Sequence, residues 1–183
     1  MHRCANQRFF NIGKQMKNRI IRVATETDFS AILALNDAFV HFTSPMDETR
    51  LAQLHELSAY HKVVEIKQDG KLKIVAFLLA FNGNSVYDSV NYQWFNQRLS
   101  DFIYIDRIVI ASDQHGKGLG KFFYRDLFDF AKTHTLVKIA CEFYILPPNE
   151  ISQKFHQSFG FYQLDTQWLA DGKKRVSLQV ADI

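Results

Sequence analysis

The sequence predicts an α/β fold in a single domain, and three observations carry that reading. The first is a strand–loop–helix unit from Phe102 to Lys121, FIYIDRIVIASDQHGKGLGK. An apolar run rich in β-branched residues gives way to glycines at Gly116, Gly118 and Gly120. Apolar residues then recur at helical spacing at Leu119, Phe122, Phe123, Leu127, Phe130 and Ala131. The second is a hairpin signal, Asp69-Gly70, between two strand-like runs, Lys62 to Lys67 and Lys71 to Phe81. The third is the alternation of strand-like and helix-like segments along 183 residues, without an internal repeat. That length suits one domain with a substantial core and is short for two.

The elements follow in order. Asn18 to Ala24 reads as an opening strand. Thr25 then serves as an N-cap, with Asp28 three residues on in a capping-box-like start, and the helix continues through Phe29, Ile32, Leu33, Leu35 and Phe39. Ser44-Pro45-Met46-Asp47 predicts a second start, with Ser44 as N-cap and Pro45 at the first helical position. Leu51, Leu54 and Leu57 form its buried face. After the hairpin, Asn82 to Ser85 breaks the chain. Val86 to Ser100 has aromatics at Tyr87, Tyr92, Trp94 and Phe95 that fit no clean period. Two readings stand equal there: a functional connection lining a site, or a short helix packed on the hairpin. Val137 to Ile145 is a further strand, stopped by Pro147-Pro148. A helix from Glu150 to Phe159 ends at Gly160, a C′ glycine. Phe161 to Leu169, a turn at 170–173, and Arg175 to Val180 complete the order β-α-α-β-β-β-α-β-α-β-β.

Charge and cysteine usage exclude several function classes. There are 22 basic against 19 acidic residues. The excess of three sits in the first fifteen residues, at Arg3, Arg8 and Lys14, so the remaining chain is neutral and shows no basic stripe for nucleic acid. Cys4 and Cys141 are far apart, which argues against a disulfide framework or a zinc site and for a reducing, cytoplasmic compartment. No run approaches a membrane span. Residues 1–16 faintly resemble a transit peptide; the plainer reading is a disordered extension, with the domain occupying 17–183.

The glycine loop aims several backbone N–H groups at one point beside the positive end of a helix, an arrangement suited to phosphate. It fails the dinucleotide fingerprint, since the final glycine position falls on Lys121 or Phe123. It also fails the Walker A pattern, with His115 where the first glycine belongs and Phe122 after Gly120-Lys121. A nucleotide phosphate-binding protein therefore rests on the loop alone. What the loop resembles, read as His115-Gly116-Lys117-Gly118-Leu119-Gly120, is the pyrophosphate loop of the GCN5-related N-acetyltransferases. Asn149 after the next strand and Gly160-Phe161 at the end of the following helix match the second half of that family's pattern. Trp94-Phe95, Tyr104-Ile105-Asp106-Arg107, Cys141-Glu142 and Pro147-Pro148-Asn149 resemble a bacterial group within it.

The resemblance implies a single mixed, mostly antiparallel sheet flanked by helices, the acyl-CoA N-acyltransferase-like fold. It implies acetyl-CoA as acetyl donor, no metal, a primary amine on a small molecule or an exposed amino group as acceptor, and neither nucleic acid nor membrane as partner. Homodimers are common in such families. The backbone from His115 to Lys121, through Gly116, Lys117, Gly118, Leu119 and Gly120, would hold the pyrophosphate. Ile108, Val109 and Ile110 would pair with the pantetheine arm, and Asn149, Ser152 and Phe155 would flank the thioester. The first position of the motif is usually Gln or Arg and here is His115. Where many members carry a tyrosine as acid for the departing thiolate, four residues after Ser152, this chain has His156.

Acetyl transfer needs a neutral amine, and a lysine-like amine titrates near ~10.4, so a base or a desolvating site must take its proton. Glu142, mid-strand among apolar residues, is the first candidate base, because a carboxylate is rarely placed there without a task or a partner. Asp106 is the rival, with a structural ion pair as its stronger reading, although adjacent Asp106 and Arg107 are expected on opposite faces of a strand. His156 could protonate the thiolate, and Tyr144, on the face of Glu142, is a spare acid. Cys141 reads as core. Tyr87, Trp94, Phe95 and Tyr144 are expected to line the acceptor side. The leading expectation is an N-acetyltransferase working by direct attack in a ternary complex; the alternative is a non-catalytic acyl-CoA sensor on the same fold.

Overall fold

The computed structural model describes residues 19–169 and 172–183. The expected extension 1–16, the domain start at 17, and the tip of the last turn at 170–171 lie outside the described residues. The order is β1 (Arg19–Val23), a single 3₁₀ turn (Glu26–Asp28), α1 (Phe29–Ala38), α2 (Glu48–Leu57), β2 (Tyr60–Gln68), β3 (Lys71–Asn82), α3 (Val90–Asn96), β4 (Phe102–Ile110), α4 (Leu119–Thr133), β5 (Lys138–Leu146), α5 (Glu150–Gln157), β6 (Tyr162–Leu169) and β7 (Lys174–Asp182). One seven-stranded sheet results, in the order β1-β2-β3-β4-β5-β7-β6. Every neighbouring pair is antiparallel except β4 and β5, so the sheet is mixed and mostly antiparallel.

Each face of the sheet carries its own core. Phe29 and Ile32 of α1, Leu51 and Leu54 of α2, and Tyr92 and Phe95 of α3 pack with Val63, Phe77, Phe81, Phe102 and Tyr104 on one side. Leu119, Phe123, Tyr124, Leu127 and Ala131 of α4 recur at helical spacing and pack with Val64, Leu78, Ile103, Ile105 and Ile139 on the other. Residues alternate between the two faces along each strand, and both faces are covered, which explains the nearly unbroken apolar runs of β3 and β4.

Local chemistry accounts for most boundaries. The Asp28 carboxylate accepts the Thr25 backbone N–H at 2.9 Å, as the capping pattern requires. The second start is displaced: α2 begins at Glu48, and its N-cap is Asp47, whose side chain accepts the Arg50 N–H at 2.7 Å. Ser44 is not the cap, because its carbonyl accepts from Asn36 Nδ2 at 3.0 Å and from Arg107 at 3.2 Å, which holds residues 44–46 as a connection. The segment 86–100 resolves as a short helix, α3, with Ser89 as its N-cap.

Two irregularities open the sheet. Leu79 pairs with Arg107 and Ala80 with Ile105, so Asp106 faces no residue of β3 and forms a bulge. The bulge reverses which residues face which core: Phe102 and Tyr104 lie on the α1–α3 side before it, and Val109 lies on that side after it. Asp106 and Arg107 therefore share a face, contrary to the alternation expected of a regular strand, and Arg107 Nε donates to Asp106 Oδ2. In addition, β4 and β5 pair only over Phe102–Tyr104 and Lys138–Ala140 and separate beyond them.

Candidate functional site

Where β4 and β5 separate, a cavity of about 640 Å³ opens through the sheet. It is lined on the β4 side by Asp106, Ile108, Val109 and Ile110, and on the β5 side by Cys141, Glu142, Phe143 and Tyr144. His115 and Gly120 of the glycine loop lie at one end, and Asn149, Ser152, Phe155 and His156 of α5 with its cap flank it. Tyr87, Asn91 and Arg50 close the α1–α3 side. The separation leaves the β5-facing edge of β4 without a strand partner from Asp106 to Ile110.

The loop conformation follows from its glycines. Gly116 and Gly118 have φ of +72° and +82°, in the left-handed region, and Gly118 is the N-cap of α4. Gly120 serves a different purpose: a Cβ there would meet the Phe155 ring at 3.1 Å, so its absence lets α4 approach α5. The side chain of Leu119 is buried in the core, leaving its main chain toward the loop. Gly116, Lys117, Gly118 and Lys121 lie beyond the cavity wall, on the open side of the loop. Arg19 Nη1 donates to the Lys117 carbonyl at 2.7 Å and ties the loop to β1. The His115 ring turns back to the sheet, donating from Nε2 to the Ile110 carbonyl at 2.8 Å and packing 5.6 Å from the Phe39 ring.

Glu142 is the best-positioned carboxyl group. Oε2 accepts from the Tyr104 hydroxyl at 2.7 Å and Oε1 from Asn91 Nδ2 at 2.8 Å. Burial raises its pKa to about 7, against the opposing pull of those two donors; nearby Asp106 raises it further and Arg107 lowers it. The other two cavity carboxylates have cationic partners, Asp106 with Arg107 and Asp88 with Arg50. Among the described residues, no cation lies within salt-bridge distance of Glu142. Asp106 also accepts from the Tyr87 hydroxyl, and Arg107 donates to Asn36 Oδ1 at 2.8 Å. These bonds commit Asp106 to a structural ion pair.

His156 lies on the other face of the sheet, stacked on Phe143. Its Nδ1–H donates to the Ser152 carbonyl at 2.7 Å, so Nε2 is the acceptor and receives the Tyr124 hydroxyl at 2.8 Å. Burial lowers its pKa to about 4. The imidazole is thus neutral near pH 7, with its one proton directed at a carbonyl. This arrangement disfavours the expected role as acid.

The acceptor-side expectations divide. Tyr87 and Tyr144 line the cavity. Trp94 and Phe95 do not: Phe95 is fully buried against Tyr104 in the core, and Trp94 packs edge-on to Phe95 beneath the Arg98 guanidinium. An aromatic on a short amphipathic helix goes to the core by default. Four groups that sequence reasoning missed now join the site: Asn91, Tyr104, Tyr124 and Gln167, the last donating to Asn91 Oδ1 at 2.9 Å. No local pattern distinguishes them, because each is placed by a partner from a distant element. Asn149, for its part, accepts the Ser152 N–H at 3.0 Å as the N-cap of α5.

Among the described residues, no group of three or more His, Cys, Asp or Glu side chains could hold a metal ion. No helix there is long and apolar enough to cross a membrane.

The family described as "Acetyltransferase (GNAT) family" matches residues 30–161. No curated protein matches the sequence. Among solved structures, Ard1 from Thermoplasma volcanium superposes with a TM-score of 0.71 at 11% identity, covering 91% of this chain and 98% of that one. The ribosomal-protein-S18-alanine N-acetyltransferase from Escherichia coli gives 0.64 at 17% identity, covering 90% and 94%. An N-acetyltransferase from Staphylococcus aureus Mu50 gives 0.65 at 22% identity, covering 91% and 99%. At these identities the likeness is one of fold.

Proposed function

The chain belongs to the acetyltransferase (GNAT) family, and from that premise we propose that it moves the acetyl group of acetyl-CoA to a primary amine by direct attack in a ternary complex. The observation that carries the reading is Glu142, a partly buried carboxyl group with two fixed donors and no cationic partner, facing a cavity that the glycine loop closes at one end.

The residues present fit acetyl-CoA. Gly116 and Gly118 hold the left-handed turns that lead into α4, whose first-turn N–H groups suit a pyrophosphate, whereas the N–H groups of His115 and Lys117 donate to the Ser112 and Gln114 carbonyls. The unpartnered edge of β4 at Ile108, Val109 and Ile110 suits the amides of a pantetheine arm. Bound acetyl-CoA supplies a thioester whose carbonyl carbon accepts a nitrogen nucleophile and whose sulfur can leave. Glu142 attracts the acceptor ammonium and takes one proton from it, directly or through a water. Nitrogen then attacks; the C–N bond forms and the C–S bond breaks. The second nitrogen proton goes to the sulfur, giving the amide and a free thiol. Protonated Glu142 then releases its proton to solvent and is ionised again, so the balance closes without a covalent enzyme intermediate. Tyr87 and Tyr144 would border the acceptor, which is a small amine or an exposed amino group.

The test is release of free thiol when purified protein meets acetyl-CoA and a panel of amines. Absence of release with every amine, together with absence of acetyl-CoA binding, would sink the reading. A second reading, an acyl-CoA-binding module without turnover, is favoured by the neutral His156 at the place of the usual acid. Tight binding without thiol release would select it.

A further inference from the structure

We infer that Gln167, acting through the side-chain amide of Asn91, positions Glu142 by fixing which end of that amide meets the carboxylate. Naming Glu142 a base rests on the acetyl transfer proposed above; the positioning itself does not.

A carboxylate only accepts hydrogen bonds, whereas an asparagine amide can present either a donor or an acceptor. Its two ends have nearly the same shape, so a neighbour must decide between them. Asn91 is 6% exposed and meets two groups. Its Oδ1 receives Nε2 of Gln167 at 2.9 Å, which leaves Nδ2 for Glu142 Oε1 at 2.8 Å. Gln167 does not line the cavity. It reaches Asn91 from the edge strand β6, opposite Val176 of β7. The chain of contacts therefore runs from the sheet edge through α3 to the mid-strand carboxyl group on β5.

Other groups near Glu142 do not replace this one. Tyr104 of β4 already serves Oε2. Asp106 and Arg107, also from β4, are paired with each other, and the Tyr87 hydroxyl is given to Asp106. Tyr144 on β5 has the Lys174 ammonium 5.0 Å above its ring. The orientation of one amide thus decides whether ionised Glu142 has two donors or one donor and a facing oxygen. Hydrogen bonds to the charged form favour ionisation, and losing one favours the proton.

Gln167→Glu tests this with almost no change of shape. A carboxylate at that position can only accept, so Asn91 should turn Nδ2 toward it and Oδ1 toward Glu142. Glu142 then keeps its proton to higher pH. The readout is infrared titration of the protonated carboxyl band, assigned by its loss in Glu142→Gln and followed in the whole protein without any acceptor. The expected result is a midpoint raised by about one unit in Gln167→Glu and by less in Gln167→Met, which drops the donor without adding charge. In an Asn91→Ala background the rise should largely vanish, which separates relay through the amide from the added charge acting at a distance. Equal midpoints in folded Gln167→Glu, Gln167→Met and unmodified protein, or a rise undiminished without Asn91, overturn the inference. Should Gln167→Glu not fold, Gln167→Met carries the same comparison. Thiol release that fails while the infrared shift holds overturns the proposed activity and leaves the positioning standing.

Discussion

A carboxyl group with a pKa of about 7 is half ionised at neutrality, so the rate that depends on it should follow its titration. For Glu142 as base, kcat/KM rises with pH through about 7 and loses that limb when the carboxyl group is removed. Glu142→Gln is expected to lower kcat/KM by about 10²–10⁴-fold while leaving the acetyl-CoA dissociation constant within twofold. A variant that retains its rate, or a rate that falls as pH rises through this range, assigns the proton transfer elsewhere. The same residue shows what sequence reasoning could reach. A glutamate between apolar neighbours is visible as an anomaly in the sequence. Its donors Asn91 and Tyr104 are not, since contacts 51 and 38 residues apart depend on tertiary placement.

Between elements, the contact of α4 with α5 turns on Gly120. The Phe155 ring stands 3.1 Å from where a Cβ would lie, tighter than ordinary packing allows, so Gly120→Ala forces the ring or the helix to move. The expected cost is about 1–3 kcal/mol of stability. Phe155→Leu should relieve much of it, giving a favourable coupling in a double-mutant cycle read by urea unfolding. Gly118→Ala should behave differently. Its strain lies in a φ of +82°, with nothing within 4 Å of the added carbon, so Phe155→Leu should not rescue it. Strictly additive Gly120→Ala and Phe155→Leu effects would refute the steric account. Sequence spacing made the loop legible because its backbone is encoded locally by glycine. The start of α2 was not legible: Ser44-Pro45 satisfies every local rule, yet its carbonyl is taken by Asn36 and Arg107, and the cap moves to Asp47. Asp106 and Arg107 misled for a related reason, since the bulge that puts them on one face depends on their pairing with β3.

Across the whole molecule, two buried imidazoles make stability depend on acid. His156 and His61 both have their pKa lowered to about 4, chiefly by burial. His61 Nδ1 meets His55 Nδ1 at 2.8 Å, and its Nε2 is buried without a partner among the described residues. The unfolded chain binds a proton at each near pH 6.5, and the folded one only near 4. Their contribution is therefore intact above pH 6.5 and is lost as pH falls toward 4, by up to about 3 kcal/mol for each histidine. Urea midpoints at pH 7 and pH 4.5 should differ accordingly, and His61→Leu should shrink the difference. An unchanged midpoint would remove the assignment. At this scale the succession of strands and helices along the chain was legible from periodicity and turn chemistry, whereas the mixed, mostly antiparallel sheet was legible only through the family resemblance. Its aromatics were the exception, because composition does not say whether a ring such as Phe95 faces a core or a cavity.

The short pairing of β4 with β5 has a mechanical consequence. Four strands on one side and three on the other are stitched along a seam of only three residue pairs, Phe102–Tyr104 with Lys138–Ala140. Beyond the seam, a molecule laid along β4 would act as a splint between two panels. Amide hydrogen exchange should reveal it: added CoA should slow exchange at Ile108–Ile110, and also at Cys141–Tyr144 across the gap, where β5 is paired with β7 alone.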